Sequence, residues 1–299
     1  MADVTMVTAA AAVPEQIDGV RRKRIGVMAW LAIAWLVLMA FFAIFGTHLG
    51  IDTSTHLDLK RQPPGYDGHI LGGDSSGRDL LGQIILGTRA SMIVSFGSIA
   101  FGTVVGGVLG LIAGYFKGRI TGALGSLFDI LLAFPPVVLA LFLVSVIANA
   151  ANDVSPLKRE LALMLGIGIV AIPILARITR ASTLVWSERE FVTAARAMGA
   201  KRWRILFREV FPNVLPALAT FALLGVAVAI VAESALSILG VGVIGNSWGN
   251  TLNSGQADLA RGVPHIVLSI VGFLFVTIIA LNHLGDVIRA RYDVKEAAI

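Results

Sequence analysis

The 299-residue chain has no cysteine and little charge, with Asp, Glu, Lys and Arg making up only 14% of it. The missing cysteine excludes a disulfide framework, a thiol nucleophile and a thiolate metal site. No G-x-x-x-x-G-K-[ST] segment occurs, so there is no phosphate loop to hold ATP. The five histidines, at 48, 56, 69, 265 and 283, share no metal-binding spacing. Asp74, Ser76 and Asp79 are too short a series for a calcium loop. No cofactor, metal or catalytic group is therefore expected in this chain. What it has in abundance is apolar surface: 56% hydrophobic residues and a mean hydropathy of +0.83. Soluble domains carry about 45–50% apolar and about 25% charged residues. The excess requires lipid as its solvent. The formal charge of +5 then records which loops stay in the cytoplasm and does not imply nucleic acid.

A long apolar run in lipid must close its backbone hydrogen bonds internally, as a helix. Six runs qualify, over about 25–46, 90–115, 124–148, 161–178, 214–241 and 263–284. The first follows Arg21-Arg22-Lys23-Arg24 and is 22 residues long. That exceeds the ~7–15 residues of a signal-peptide core, so it reads as a retained span. With the N-terminus inside, seventeen of the 24 Lys and Arg fall in cytoplasmic segments and seven in external ones, which places both termini in the cytoplasm. The expected division is a cytoplasmic tail over 1–24, a transmembrane domain over 25–284 and a cytoplasmic tail over 285–299. Two segments exceed simple turns: an external one over 47–89 and a cytoplasmic one over 179–213.

Within the spans, Ser98, Gly102, Gly106, Gly110 and Gly114 recur every four residues. They make a smooth stripe for close helix approach, inside one subunit or between two. Pro135, Pro136 and Pro173 remove backbone donors and kink their helices, either as static bends or where a cavity is lined. Glu233 and Asp129 are the acidic residues inside spans, where an unpaired charge costs about 2.5–3.5 kcal/mol. Glu233, Ser234, Pro135 and Pro136 are the candidates for lining a path, with a structural hydrogen bond as the alternative for Glu233. Asp129 reads as a partner for Arg177 or Arg180. On the external side, Gly72, Gly73 and Gly77 beside Asp74 and Ser75 read as turn chemistry. Arg78 and Asp79 are expected to tie this loop to a partner subunit or an external gate. Trp248 reads as an interfacial anchor or a gate residue.

In the cytoplasmic segment, Ser187 to Glu190 fits a capping box. Phe191, Ala194, Ala195 and Met198 follow as an apolar stripe on a helix ending at Gly199. A second helix is expected over about 201–210, stopped by Pro212. Such a hairpin could seat its alanine face in a groove of another protein or rest on anionic headgroups.

The run Glu190-Phe191-Val192-Thr193-Ala194-Ala195-Arg196-Ala197-Met198-Gly199, with Phe211-Pro212-Asn213, resembles the EAA loop of ATP-binding-cassette importer permeases. Thr193 stands where the motif has glutamate, and Glu209 where it has isoleucine. The stretch from His69 to Leu81, with Gly87 to Ser91, resembles the external segment of the C-type subunit of dipeptide and oligopeptide permeases, with Gly73 for the usual threonine. Asp129 to Pro136, Glu233 to Gly240 and Ser247 to Asn250 are similar to the same subunit. The resemblance extends over about 25–293. It implies an all-α, six-span, type I importer permease of the bacterial cytoplasmic membrane, working by alternating access. It also implies a B-type permease as heterodimer partner, two ATPase subunits that bind ATP and Mg, and an extracytoplasmic binding protein. Peptides are the implied cargo, with nickel, glutathione or another peptide-like solute as alternatives. Glu190, Ala194, Ala195, Gly199, Pro212 and Asn213 would couple to the ATPase, and Asp74, Gly77, Arg78, Asp79 and Trp248 would serve the external loop or gate. An ion-coupled secondary transporter, a membrane enzyme and a cargo-free scaffold are the rival classes. The first would give Glu233 and Asp129 functional roles.

Overall fold

Long apolar runs govern the architecture. The computed structural model describes residues 26–296 apart from 53, 117 and 150–154; the expected tail over 1–24 lies outside the described residues. Among the described residues the regular structure is helical, with one isolated β-bridge between Gly73 and Asp79. The helices are α1 (Val27–Phe45), α2 (Leu80–Tyr115), α3 (Arg119–Ala133), α4 (Pro136–Asn149), α5 (Pro156–Ser187), α6 (Glu190–Ala197), α7 (Arg202–Ile205), α8 (Phe211–Ile238), α9 (Trp248–Leu259) and α10 (His265–Glu296). Among the described residues five helices are long and apolar enough to cross a bilayer, and a sixth crossing is made if α3 and α4 count together.

The third span departs most from a simple rod, because α3 and α4 meet at 96°. Phe134 lies in extended conformation (φ −84°, ψ 141°), as the residue before a proline prefers. Two consecutive prolines then supply no donor to the preceding turn, so the helix ends and restarts. By contrast, α5 passes without interruption through the buried Pro173.

The tightest packing is between α2 and α5, and the small-residue stripe produces it. A Cβ on Gly106 would lie 2.7 Å from the Ile172 carbonyl oxygen, and one on Gly110 would lie 2.4 Å from that of Ala176. Gly102 faces Gly168 and Ala171, and Gly114 faces Arg180 and Thr183. The stripe is thus an intrasubunit seam. Next to it, α8 packs on α2, α5 and α10, while α1 lies outside against α10 and α2. The Trp35 indole of α1 donates to Thr277 Oγ1 of α10 at 3.0 Å.

Several of the described helices extend well past a bilayer, two of them toward the cytoplasmic segment. At about 1.5 Å per residue, the 32 residues of α5 span about 48 Å, against about 30 Å of hydrocarbon. The unit from Arg202 to Ile238 is 37 residues long. Pro212 does not stop the second cytoplasmic helix as the sequence suggests. Leu206–Val210 widens into a π turn, which gives the proline ring room and lets the chain run on as α8. The Asn213 side-chain amide donates to the Glu209 carbonyl at 2.6 Å. At the other end of the chain, α10 continues past 284 into the stretch expected as a tail.

Candidate functional site

Four regions contain the residues singled out in the sequence. In the external segment Asp74 is the organiser. It is 1% exposed; its Oδ1 accepts from the amides of Ser76 (2.7 Å) and Arg78 (2.9 Å). Its Oδ2 accepts from Arg78 Nε at 2.9 Å and pairs with Nη2 at 2.8 Å. Gly77, at φ +83°, turns the loop so close to His56 that a Cβ would fall 2.2 Å from the His56 carbonyl oxygen. Asp79 caps α2 by accepting from the Gly82 amide at 2.9 Å and lies 3.3 Å from His69 Nδ1. Arg78 and Asp79 therefore brace their own loop and helix within this chain. The loop is anchored within the chain by Arg61, whose Nε donates to Asp258 Oδ1 at 2.6 Å, and by His265 beside the Gly73 carbonyl at 3.3 Å. Asp258 and Arg61 lie 197 positions apart, and no local pattern flags either.

The second region is a buried polar knot. Glu233 is fully buried, with Ser91 Oγ donating to one carboxylate oxygen at 3.3 Å and Ser237 Oγ to the other at 3.2 Å. Ser91 Oγ in turn accepts from the Trp248 amide at 3.0 Å. The carboxylate thus links α2, α8 and the start of α9, which is the structural alternative for Glu233. Ser234 is buried as well and donates to the Ile230 carbonyl within α8 at 3.0 Å. Trp248 is also fully buried. Its indole donates to the Ile84 carbonyl at 3.0 Å, and its ring meets Phe273 edge-on at 5.3 Å. It is a core residue, and the interfacial-anchor reading is corrected. The turn before it seats this tightly because Gly87 and Gly249 leave no side chain in the way.

The third region is a concave face. A cavity of about 390 Å³ opens between α2, α4, α5 and α8, with Pro136, Ile167, Ile174, Ile178, Phe221 and Val228 in its wall. Glu233 and Ser234 are not among its lining residues, whereas Pro136 is. Farther along α5, toward α6, a second cavity of about 400 Å³ lies between α3 and α5. Here Arg177 Nη2 contacts Asp129 Oδ1, joining the two helices, in line with the pairing expected from sequence. Arg180 lines the same cavity.

The fourth region is the projection made by α6 and α7. Gly199, at φ +78°, closes α6. The Ala200 amide reaches back to the Ala195 carbonyl (3.1 Å) and the Gly199 amide to that of Arg196 (3.0 Å), a Schellman closure. The helix start differs from expectation, since the N-cap is Arg189 and no side chain caps it. Ser187 Oγ instead donates to the Leu184 carbonyl at 3.0 Å, so no capping box forms. The apolar stripe also divides. Val192 and Ala195 are buried with Leu111, Ile205, Leu206, Val210 and Val214. Glu190, Phe191, Ala194, Met198 and Gly199 face outward, with Met198 81% exposed. Ala195 therefore anchors the projection to its own chain instead of offering a face to a partner.

Residues 106–295 match the family model described as "Binding-protein-dependent transport system inner membrane component". Among curated proteins, the chain is 32% identical over 277 residues to the glutathione transport system permease protein GsiD of Pectobacterium atrosepticum, covering 92% of this chain and 88% of that one. It is 30% identical over 283 residues to the dipeptide transport system permease protein DppC of Alkalihalophilus pseudofirmus, covering 94% and 89%. Among solved structures it resembles a chain of the inward-facing MetNI methionine ABC transporter, with a TM-score of 0.58 over 71% of this chain and 95% of that chain. At 18% identity that likeness concerns the fold.

Proposed function

This chain belongs to the family of binding-protein-dependent transport system inner membrane components, a multi-pass permease of an ATP-driven importer, and from that membership we propose that its cargo is a small peptide or a peptide-like solute such as glutathione. The two named relatives carry glutathione and dipeptides, and a free carboxylate on a short peptide backbone is common to both. The proposed assembly pairs the chain with a second, B-type permease in the bacterial cytoplasmic membrane. Two ATPase subunits engage α6 from the cytoplasm, and an extracytoplasmic binding protein delivers cargo at the face of residues 47–79. Both termini lie in the cytoplasm. In this reading the concave face of α4, α5 and α8, including the Pro135-Pro136 break, is this chain's half of the path.

The observation that carries the docking role is the outward set Phe191, Ala194 and Met198 on a projection held beyond the hydrocarbon by α5 and α8. An apolar group of this kind in water calls for a groove on another protein. Pro212 and Asn213 belong to the support of this projection, where the π turn runs into α8. Gly199→Asp would test docking poorly, because φ +78° strains any side chain there. Ala194→Arg and Met198→Asp change only outward surface. Both variants should insert and assemble with the second permease, yet lose at least tenfold in ATP-driven uptake by reconstituted vesicles. Wild-type uptake in both would refute docking through this face.

A further inference from the structure

The cavity at the α6-proximal end of α5 is lined by Gly125, Phe128, Asp129, Arg177, Arg180, Ala181 and Leu184. Its charged groups are two guanidiniums and one carboxylate, so one positive charge is left over. Asp129 is engaged by Arg177. The Arg180 Nε atom is shielded from solvent and has no hydrogen-bond partner among the described residues. Arg180 as a whole is half-buried and lines the cavity, and the planar fork of a guanidinium matches a carboxylate.

Position gives the cluster its meaning. The apolar cavity includes Ile174 and Ile178 of α5, and the charged one includes Arg177 and Ala181 of the same helix. The two concavities are therefore consecutive along one wall, apolar first and basic at the end nearer α6. A small peptide passing along that wall meets no fixed charge in the apolar stretch and then a single surplus cation. The peptide backbone carries one group common to all such cargo, its terminal carboxylate. We infer that Arg180, assisted by Arg177 and Asp129, forms a carboxylate-recognising inner mouth of the path. This inference rests on the importer reading and adds to it a chemical subsite. The Arg177–Asp129 pair holds α3 against α5, so the mouth has a wall on each side, and Arg180 supplies the unclaimed donors.

The absence of cysteine from this chain makes the test direct. Leu184→Cys places a single thiol of this chain in the mouth of the intact assembly. Its reaction with an anionic methanethiosulfonate is expected to be about tenfold faster than with a cationic one of similar size. Arg180→Ala in the same background should erase that preference, and Arg180→Lys should keep most of it. Trialanine should slow the labelling of Leu184→Cys, while trialanine amide should not. Equal rates for the two reagents, a preference that survives Arg180→Ala, or no labelling by either would overturn the inference. Equal protection by the amide would overturn its carboxylate part. If the wild-type assembly fails to take up trialanine or glutathione but the charge preference behaves as expected, the mouth stands and the cargo reading falls.

Discussion

Gly110 offers the sharpest test of the packing that positions every other element. It lies mid-seam between α2 and α5, where an added methyl would sit 2.4 Å from the Ala176 carbonyl oxygen and 2.7 Å from Thr179 Cβ. Ordinary contact begins near 3.4 Å. These atoms are backbone and a stiff branched side chain, so the two helices must part by about 1 Å for Gly110→Ala to fit. Overpacking of this kind costs about 1–3 kcal/mol, and local separation of a long seam belongs at the upper end. Against it stands the gain of about 1 kcal/mol when alanine replaces glycine in a helix. The net loss is about 1–2 kcal/mol, which at about 2–4 °C per kcal/mol for chains approaching this size lowers the midpoint by several degrees. Two controls separate packing from propensity. Gly272→Ala meets nothing within 4 Å and should be neutral or stabilising. Gly97→Ala meets only the end of the flexible Met164 side chain and should fall between. The assay is thermal unfolding of the detergent-solubilised protein, scored by the monodisperse fraction after heating. If Gly110→Ala survives heat as well as Gly272→Ala, the backbones of α2 and α5 are not in contact and the seam is wrong.

Glu233→Ala should destabilise by about 2–4 kcal/mol, since it strands the Ser91 and Ser237 hydroxyls and leaves a cavity. Glu233→Gln, with the same shape and one acceptor kept, should cost about 1 kcal/mol; equal heat resistance of Glu233→Ala and wild type would refute the knot. The exposed Asp52–His56 pair in the external segment makes a pH prediction. Hydrogen bonds from Ser54 and His56 hold the Asp52 carboxyl far below its ordinary 3.8, and the Asp52 carboxylate raises His56 above its ordinary 6.5. A depressed carboxyl stabilises above 3.8 and a raised imidazole below 6.5, so both contributions are complete between those values. The His56 part is lost as pH climbs through its raised pKa, and the Asp52 part only in strong acid. Protection of the Ser54 amide, measured by hydrogen exchange corrected for intrinsic rates, should therefore decline above pH 6.5. His56→Gln should remove that decline.

The spans were legible because lipid imposes a crude rule: apolar length makes a helix, and basic residues mark a side. The stripe from Ser98 to Gly114 was readable for a similar reason, since spacing alone puts small residues on one helix face. Pro135-Pro136 announced a break, but a bend of 96° depends on what α3 and α4 each pack against. Pro212 misled because proline stops an α-helix, and nothing local indicates that the preceding turn will widen into a π turn. Trp248 misled in a different way. Its neighbours Gly249 and Asn250 look like a surface turn, and only the glycines at 87 and 249 admit the segment to the core. Asp258, Arg61, Ser91 and Ser237 carried no signal, because their partners are brought together by the folding of distant helices. At α6, counting apolar residues found the helix and its glycine stop. It could not tell that Ala195 would turn inward with Val192, a residue outside the stripe, while Phe191, Ala194 and Met198 stay outside.

That division of the α6 stripe bears on how a push from below would travel. Val192 and Ala195 lock α6 to Leu206, Val210 and Val214 on the run into α8, and to Leu111 of α2. The glycine seam then locks α2 to α5. A force applied at Ala194 or Met198 therefore moves the inner ends of α2, α5 and α8 together, since no weak joint separates them. The helix left out of this body is α3, which is joined to α5 by the half-exposed Arg177–Asp129 pair and to α4 by the proline break. An exposed ion pair is worth about 0–1 kcal/mol, far less than a backbone-to-backbone seam. Relative movement should thus concentrate between α3 and α5, at the basic cavity itself, while the Glu233 and Trp248 knot keeps the opposite end of α8 tied to α2 and α9. Reinforcing the weak joint, with a cysteine pair replacing Asp129 and Arg177 and bridged by a short bis-methanethiosulfonate, should arrest uptake in a manner reversed by reductant. If uptake continues with the joint closed, α3 travels with the rest and the mouth opens elsewhere.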